Sequence, residues 1–227
     1  MRDIMVEDCG VIEYATAWEL QKKYFEERIA KEDVPNRLLF CEHPHVYTLG
    51  KSGEEANLLI SDEFLKQINA SYFKIDRGGD ITYHGYGQLV GYPIINILDY
   101  GIGLRQYIYN VEEAIIKTIA HYGIVGKRIQ SATGVWIGDE GMERKICAIG
   151  VRASRQVTMH GFALNVSTDL KYFNYINPCG FTTRGVTSIA QELGLDINSS
   201  SDEAKKMMNE VKLLFFENFN EVFERKL

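Results

Sequence analysis

Strand-like runs joined by short turns, interleaved with two long stretches whose apolar residues recur every three or four positions, predict an α/β (α+β) fold. The expected architecture is a mixed β-sheet flanked by helices. No repeat, low-complexity tract or linker-like run divides the 227 residues, so a single domain spanning 1–227 is expected.

In chain order, Thr16-Ala17-Trp18-Glu19 reads as a capping box opening a helix toward Lys31. Leu38 to Leu49 reads as a strand stopped by Gly50. A short helix over Asp62 to Asn69 precedes a strand over Tyr72 to Asp76, and Leu89 to Leu98 is again strand-like. Leu104, Ile108, Val111, Ile115, Ile119 and Tyr122 trace the clearest amphipathic helix, which Gly123 ends. Gly134 to Ile137, Lys145 to Val151 and Gly161 to Val166 read as three strands, with hairpin connections at 138–141 and 153–156. A loop around Pro178, a helix over Ser188 to Leu193 and a long amphipathic helix over Ser201 to Phe223 close the chain.

Composition narrows the functional classes. Apolar residues make up 45% and charged residues 25%, ordinary values for a globular protein. A net charge of −6 argues against nonspecific nucleic-acid binding, which rests on a basic face. No run approaches the roughly 18 uncharged apolar residues of a membrane span, and Met1 to Asp8 lacks an apolar leader core, so a cytoplasmic location is expected. Cys9, Cys41, Cys147 and Cys179 lie far apart, indicating neither a zinc ribbon nor a disulfide scaffold. Lys127, Arg128, Arg144, Lys145, Arg152 and Arg155 outnumber the acidic residues around them, which reads either as a landing patch for an acidic partner or as a scattered solvated face.

Arg77-Gly78-Gly79-Asp80-Ile81-Thr82-Tyr83-His84-Gly85-Tyr86-Gly87-Gln88 places four glycines among nearly every kind of polar group. Gly85, Gly87 and Gly91 come close to a dinucleotide fingerprint, but that loop must enter a helix, and Leu89 to Ile94 is extended and holds Pro93. A phosphate-binding G-x-x-x-x-G-K-[ST] loop is absent. A bend lined by glycine remains, offering Arg77, Asp80, Thr82, His84 and Gln88 to a ligand. His84 suits proton transfer or, with no nucleophile beside it, a structural hydrogen bond to backbone that holds the bend.

Two thiols are candidate nucleophiles. Cys179 sits between Pro178 and Gly180 on a loop, and Cys147 lies two residues from Lys145, on the same face of a regular strand. The flanks of Cys147, Ile146 and Ala148, make it the better core residue. A thiol needs a nearby cation or N–H dipole to ionise near neutrality, and Lys145, at the mouth of an apolar strand, is either that cation or a snorkelling side chain. Cys41, His43 and His45 alternate along one predicted strand face, a possible metal cluster interrupted by Pro44; no metal is expected. His160, before Gly161, reads as a second wall of the pocket.

Taken together, Glu42-His43-Pro44, Tyr47-Thr48-Leu49-Gly50, Arg77-Gly78-Gly79-Asp80, Thr82-Tyr83-His84-Gly85, Gln88 with Tyr92-Pro93, Lys145 to Gly150, His160 to Asn165 and Asn177-Pro178-Cys179-Gly180 resemble the octanoyl-[acyl-carrier-protein]:protein N-octanoyltransferases. The resemblance covers residues 40 to 190; Tyr86 stands where the family pattern has proline. It implies a fold related to the biotin and lipoate protein ligases, with Cys179 as nucleophile and Lys145 as its partner. It implies an acyl pocket lined by Arg77, Gly78, Gly79, Asp80, Ile81, Thr82, Tyr83 and His84, by Ala148, Ile149 and Gly150, and by Gly161, Phe162 and Ala163. His160, Gln88 and Asn165 support it, and the glycines of 77–88 are expected to make room for the acyl chain.

The implied reaction carries octanoyl from octanoyl-acyl carrier protein, through an acyl-cysteine, to a lysine of a lipoyl domain, in 2-oxoacid dehydrogenase complexes or the glycine cleavage H protein. It needs no cofactor, because a thioester becomes an amide. The competing readings are an ATP-dependent lipoate or biotin protein ligase, which would survive loss of Cys179, and a non-catalytic acyl- or lipoyl-domain-binding module.

Overall fold

The computed structural model describes residues 4–130, 132–177 and 185–224. β1 (Ile4–Val11) runs along one edge and leads into α1 (Tyr14–Ala30); β2 (Asn36–Glu42) and β3 (Val46–Leu49) follow, then α2 (Asp62–Gln67), β4 (Ser71–Lys74) and β5 (Ile81–His84). β6 (Gln88–Ile94) precedes α3 (Leu104–Ala120), and β7 (Lys127–Ile129), β8 (Ala132–Ile137), β9 (Arg144–Ser154) and β10 (Val157–Asn165) form a run of antiparallel hairpins. β11 (Gly185–Val186), α4 (Ile189–Glu192) and α5 (Asp202–Glu224) complete the described chain.

The main sheet has the order β1-β2-β6-β10-β9-β8-β7, with β11 added parallel to β9; a second sheet has the order β4-β3-β5. β1 pairs with β2 in parallel and β2, β6 and β10 pair antiparallel, so the sheet is mixed as expected. Every residue of β6 and β10 is buried, which follows from helices covering both faces. Alternation sorts the side chains. Phe40, Leu89, Phe162 and Leu164 join α3 and α5 in the larger core, whereas Leu39, Val90, Tyr92 and Ala163 face α1. A third cluster, around Tyr47, Leu49, Leu65, Ile81 and Tyr83, holds the small sheet.

Several boundaries differ from the sequence reading. The strand expected over Leu38 to Leu49 is two strands in two sheets, because Pro44 cannot donate to a ladder. That break also dissolves the proposed alternation of Cys41, His43 and His45. Cys41 is in β2, His43 is fully buried with Nδ1 2.7 Å from the Ile12 carbonyl and Nε2 2.7 Å from the Tyr92 hydroxyl, and His45 stacks on Tyr172 with ring centres 4.2 Å apart. The first helix starts at Tyr14 with Glu13 as N-cap, so Thr16 lies inside it and the capping box goes unused. β1 was not anticipated, since Glu7, Asp8 and Gly10 obscure its pattern. The β9–β10 connection is a two-residue turn with Arg155 and Gln156 both at positive φ (49° and 64°), the geometry that matches strand twist. No helix among the described residues is long and apolar enough to cross a membrane.

Candidate active site

A cavity of about 280 Å³ opens between β6, β9 and β10 of the main sheet, β5 of the small sheet, and the start of α1. Of the residues expected to line it, Arg77, Gly79, Asp80, Ile81, Thr82 and His84 do, as do Ala148, Ile149 and Gly150 from β9 and Gly161, Phe162 and Ala163 from β10. Lys145, Gln88, Asn165 and His160 also face it. Gly78 and Tyr83 do not. The Gly78 N–H is spent on the Val151 carbonyl (2.9 Å), and Tyr83 points into the small sheet's core, stacked on Tyr172 with its hydroxyl 2.7 Å from His45 Nδ1.

Cys179 lies outside the described residues. The chain approaches that segment at Asn177, whose N–H donates to the Asn57 carbonyl (2.8 Å). It returns at Gly185 and Val186, which pair in parallel with Arg144 and Lys145 and line the cavity.

Lys145 owes its direction to a bulge. Val135 pairs with Cys147 and Trp136 with Lys145, so two residues of β9 step past one pair of β8 and Ile146 is the extra residue. Ile146 and Cys147 therefore both enter the larger core, and Lys145 alone turns to the cavity. The face-sharing of Lys145 and Cys147 expected from regular alternation is thus corrected. Its Nζ donates to the Thr133 carbonyl (3.3 Å) and lies 4.6 Å from the centre of the Trp136 ring. Cys147 is fully buried, and that burial pushes its thiol well above the ordinary range, the state of an inert core cysteine.

The polar groups of the wall hold one another. Arg77 Nη2 donates to the Thr48 carbonyl (2.7 Å) and hydroxyl (3.0 Å). Asp80 accepts from Asn57 Nδ2 (2.8 Å) and from the Ile81 N–H (2.6 Å). His84 Nδ1 meets Gln88 Oε1 (2.8 Å), and Gln88 Nε2 donates to Asn165 Oδ1 (2.9 Å) and the Tyr83 carbonyl (3.2 Å). His84 thus braces the bend through the Gln88 side chain, not through backbone as expected. Burial, seconded by neighbouring His43, lowers its pKa to about 3 and keeps the ring neutral. His160 takes a left-handed backbone (φ 60°), donates its N–H to Gln21 Oε1 (3.2 Å), and sets Nε2 2.9 Å from Asp76 Oδ1. Burial lowers its pKa against the opposing pull of Asp76.

Of the glycines of 77–88, Gly85 and Gly87 do not make room for a ligand, whereas Gly79 lines the cavity and a Cβ there would meet only Arg77 Nη1 at 3.4 Å. A Cβ on Gly50 would meet the Gly79 carbonyl at 2.3 Å, one on Gly85 the Tyr83 hydroxyl at 1.9 Å, one on Gly87 the Ser167 backbone at 2.7 Å, and one on Gly150 the Gly78 carbonyl at 2.9 Å. Protein fills the space that their missing side chains leave. The basic stretch is not a patch either. Arg128 pairs with Glu112 and Glu113, Arg144 with Glu192 and Arg152 with Asp76, while Arg155 sits in the turn at the far end of β9 from Lys145.

Tyr14, Val90, Trp136 and Phe173 line the cavity without having been singled out, and Asp76 supports it from behind. Trp136 carried a signal, a large aromatic in the strand facing Lys145; Tyr14 and Phe173 arrive by tertiary packing that no local pattern reports.

The profile of the "Lipoyl protein ligase A/B catalytic domain" matches residues 13–211. The chain belongs to this family. Among its relatives, the octanoyltransferase of Bacteroides fragilis is 57% identical over 196 residues, covering 84% of this chain and 89% of the relative. That of Bacteroides thetaiotaomicron is 53% identical over 213 residues, covering 92% of each. At the level of fold, the bi-partite lipoate protein ligase of Thermoplasma acidophilum superposes with a TM-score of 0.69 at 14% identity, covering 98% of this chain and 84% of that one. A lipoate-protein ligase A bound with ATP gives 0.65 at 13% identity, covering 97% and 85%. Within the family the chain's likeness is thus to its octanoyltransferases in sequence and to its lipoate ligases in fold.

Proposed function

We propose that this chain, an octanoyltransferase, works through Cys179 and Lys145, with the cavity holding the acyl chain. The observation that carries the reading is a cavity walled by Val90, Ile81, Phe162 and Ala163 with a single lysine, Lys145, aimed into it beside β11. A partly apolar cavity bordered by this lysine suits a medium acyl chain whose reacting carbonyl stays near the ammonium.

In the first half-reaction the Cys179 thiolate attacks the thioester carbonyl of octanoyl-acyl carrier protein; the C–S bond to the carrier breaks, and the departing sulfur takes a proton from the Lys145 ammonium and leaves as the thiol. The Lys145 ammonium stabilises the Cys179 thiolate, each unit of lowered pKa being worth about 1.36 kcal/mol. In the second, a lysine amine of a lipoyl domain attacks the acyl-cysteine, Cys179 leaves as thiolate, and the neutral Lys145 amine takes the proton of the attacking nitrogen. Thioester is exchanged for thioester and then for amide, downhill without ATP. The lipoyl domains of 2-oxoacid dehydrogenase complexes and the glycine cleavage H protein are the acceptors this chemistry suits, and the whole of 1–227 acts as one catalytic domain.

The test is the intact mass of the protein after mixing with octanoyl-acyl carrier protein without ATP. An octanoyl adduct on the parent, absent from Cys179→Ser and slowed by at least about 10²-fold in Lys145→Ala, is expected. An adduct that persists in Cys179→Ser, or appears only with ATP, rejects the reading.

A further inference from the structure

Among the described residues, one short piece of β8 brings two groups to Lys145: the Thr133 carbonyl, which accepts from Nζ at 3.3 Å, and the Trp136 ring, 4.6 Å from it. Gly134, between them, is at φ 121°, where a Cβ would press on the Cys147 carbonyl at 2.5 Å. A backbone in that state stays put only where something fixes it. The fixing group is Glu112 of α3, 7% exposed, whose Oε1 accepts the Gly134 N–H at 2.9 Å. Its Oε2 accepts from Arg128 Nε at 3.1 Å, which compensates the charge, while the Gly134 bond is made by the other oxygen.

We propose that Glu112 is a positioning residue for the transfer reaction: by tying Gly134 to α3 it sets the Thr133 carbonyl and the Trp136 ring, and through them the place of the Lys145 ammonium. This rests on the reading of Lys145 as the partner of the nucleophile. Glu112 touches no part of the cavity. The arrangement needs an acceptor at the right reach, not a negative charge, because the Gly134 N–H is a neutral donor. An amide oxygen in the same place serves, the amide nitrogen giving up the Arg128 Nε bond while Arg128 stays on Glu113 and the Tyr109 carbonyl, whereas a carboxylate one methylene shorter withdraws from it. Small displacements of a reacting group cost much in rate and little in binding; a shift of about 1 Å is worth about 10²-fold.

The experiment measures steady-state octanoyl transfer and thermal unfolding for Glu112→Gln, Glu112→Asp, Glu112→Ala, Arg128→Ala and Lys145→Ala. The expected result is kcat reduced at least about tenfold in Glu112→Asp and Glu112→Ala with KM for the acyl donor within about twofold, and kcat restored to within about threefold in Glu112→Gln. Arg128→Ala, which breaks the same ion pair but leaves the Gly134 bond, is expected to lower Tm without that loss of kcat. The proposal is overturned if Arg128→Ala loses as much kcat as Glu112→Asp, if Glu112→Gln is as impaired as Glu112→Asp, or if Glu112→Asp keeps parental kcat. Glu112→Asp preserves charge and so carries the test should Glu112→Ala fail to fold. A Lys145→Ala enzyme with parental kcat would instead strike down the reading of Lys145, an outcome separate from the response of the Glu112 variants.

Discussion

Gly91 and Phe162 face each other across β6 and β10, and their contact couples stability to the cavity wall. A Cβ on Gly91 would stand 2.2 Å from the Phe162 ring, which is itself packed 4.3 Å from Phe215 and cannot retreat. Gly91→Ala is therefore expected to lower stability by about 2–3 kcal/mol, read as a shift of the urea midpoint, and to slow acyl transfer because Phe162 lines the cavity. An unchanged midpoint would show that the strands part to admit the methyl group. At this scale the sequence reading placed Lys145, His160 and the Arg77 to His84 run on the cavity wall, and the structure agrees except at Gly78 and Tyr83. The sequence was not readable where backbone geometry intervenes. The bulge at Ile146 sends Lys145 and Cys147 apart, and no pattern of period two contains an extra residue.

Elements with strong periodicity were found nearly whole: α3 and α5 lie within two residues of their expected ends. The element least connected to any motif, α5, contributes half of the buried aromatic residues in the core on its face of the sheet. Phe215 meets Phe40 at 5.9 Å and Phe219 at 5.6 Å, and Phe219 stacks on Phe223 at 4.1 Å. Phe219→Ala, whose ring contacts stay within α5, is expected to cost about 3–5 kcal/mol, measured by chemical denaturation, while leaving the reactivity of the folded fraction toward octanoyl donor near parental. Failure of the split between β2 and β3 to show in sequence has a plain cause. Leu38 to Cys41 before Pro44 and Val46 to Leu49 after it are both runs suited to a buried strand, and only the partners of each strand distinguish the two sheets.

Across the whole molecule three histidines are buried, and at two of them no acid opposes the burial, which holds His43 down to about 4 and His84 to about 3. The unfolded chain takes up protons on both near pH 6.5, and the folded chain does not until far lower. Their contribution is therefore complete above about pH 6.5 and is lost as pH falls, by about 1.4 kcal/mol per pH unit for each. Unfolding free energy is expected to drop by about 2–3 kcal/mol between pH 7.5 and 5.5, and His43→Gln should flatten that slope by about half. A stability that stays level across this window would place the protons elsewhere. The joining of two sheets around one cavity was expected only in outline, because contacts such as Tyr14 with His84 link residues seventy positions apart. For anyone wishing to retune the enzyme toward other acyl lengths, Gly50, Gly85, Gly87 and Gly150 are fixed parts: their apparent vacancies are already occupied by neighbouring protein atoms. The dimensions of the slot can be adjusted only at side chains that meet the cavity directly, Val90, Ala163 and Ile81 among them.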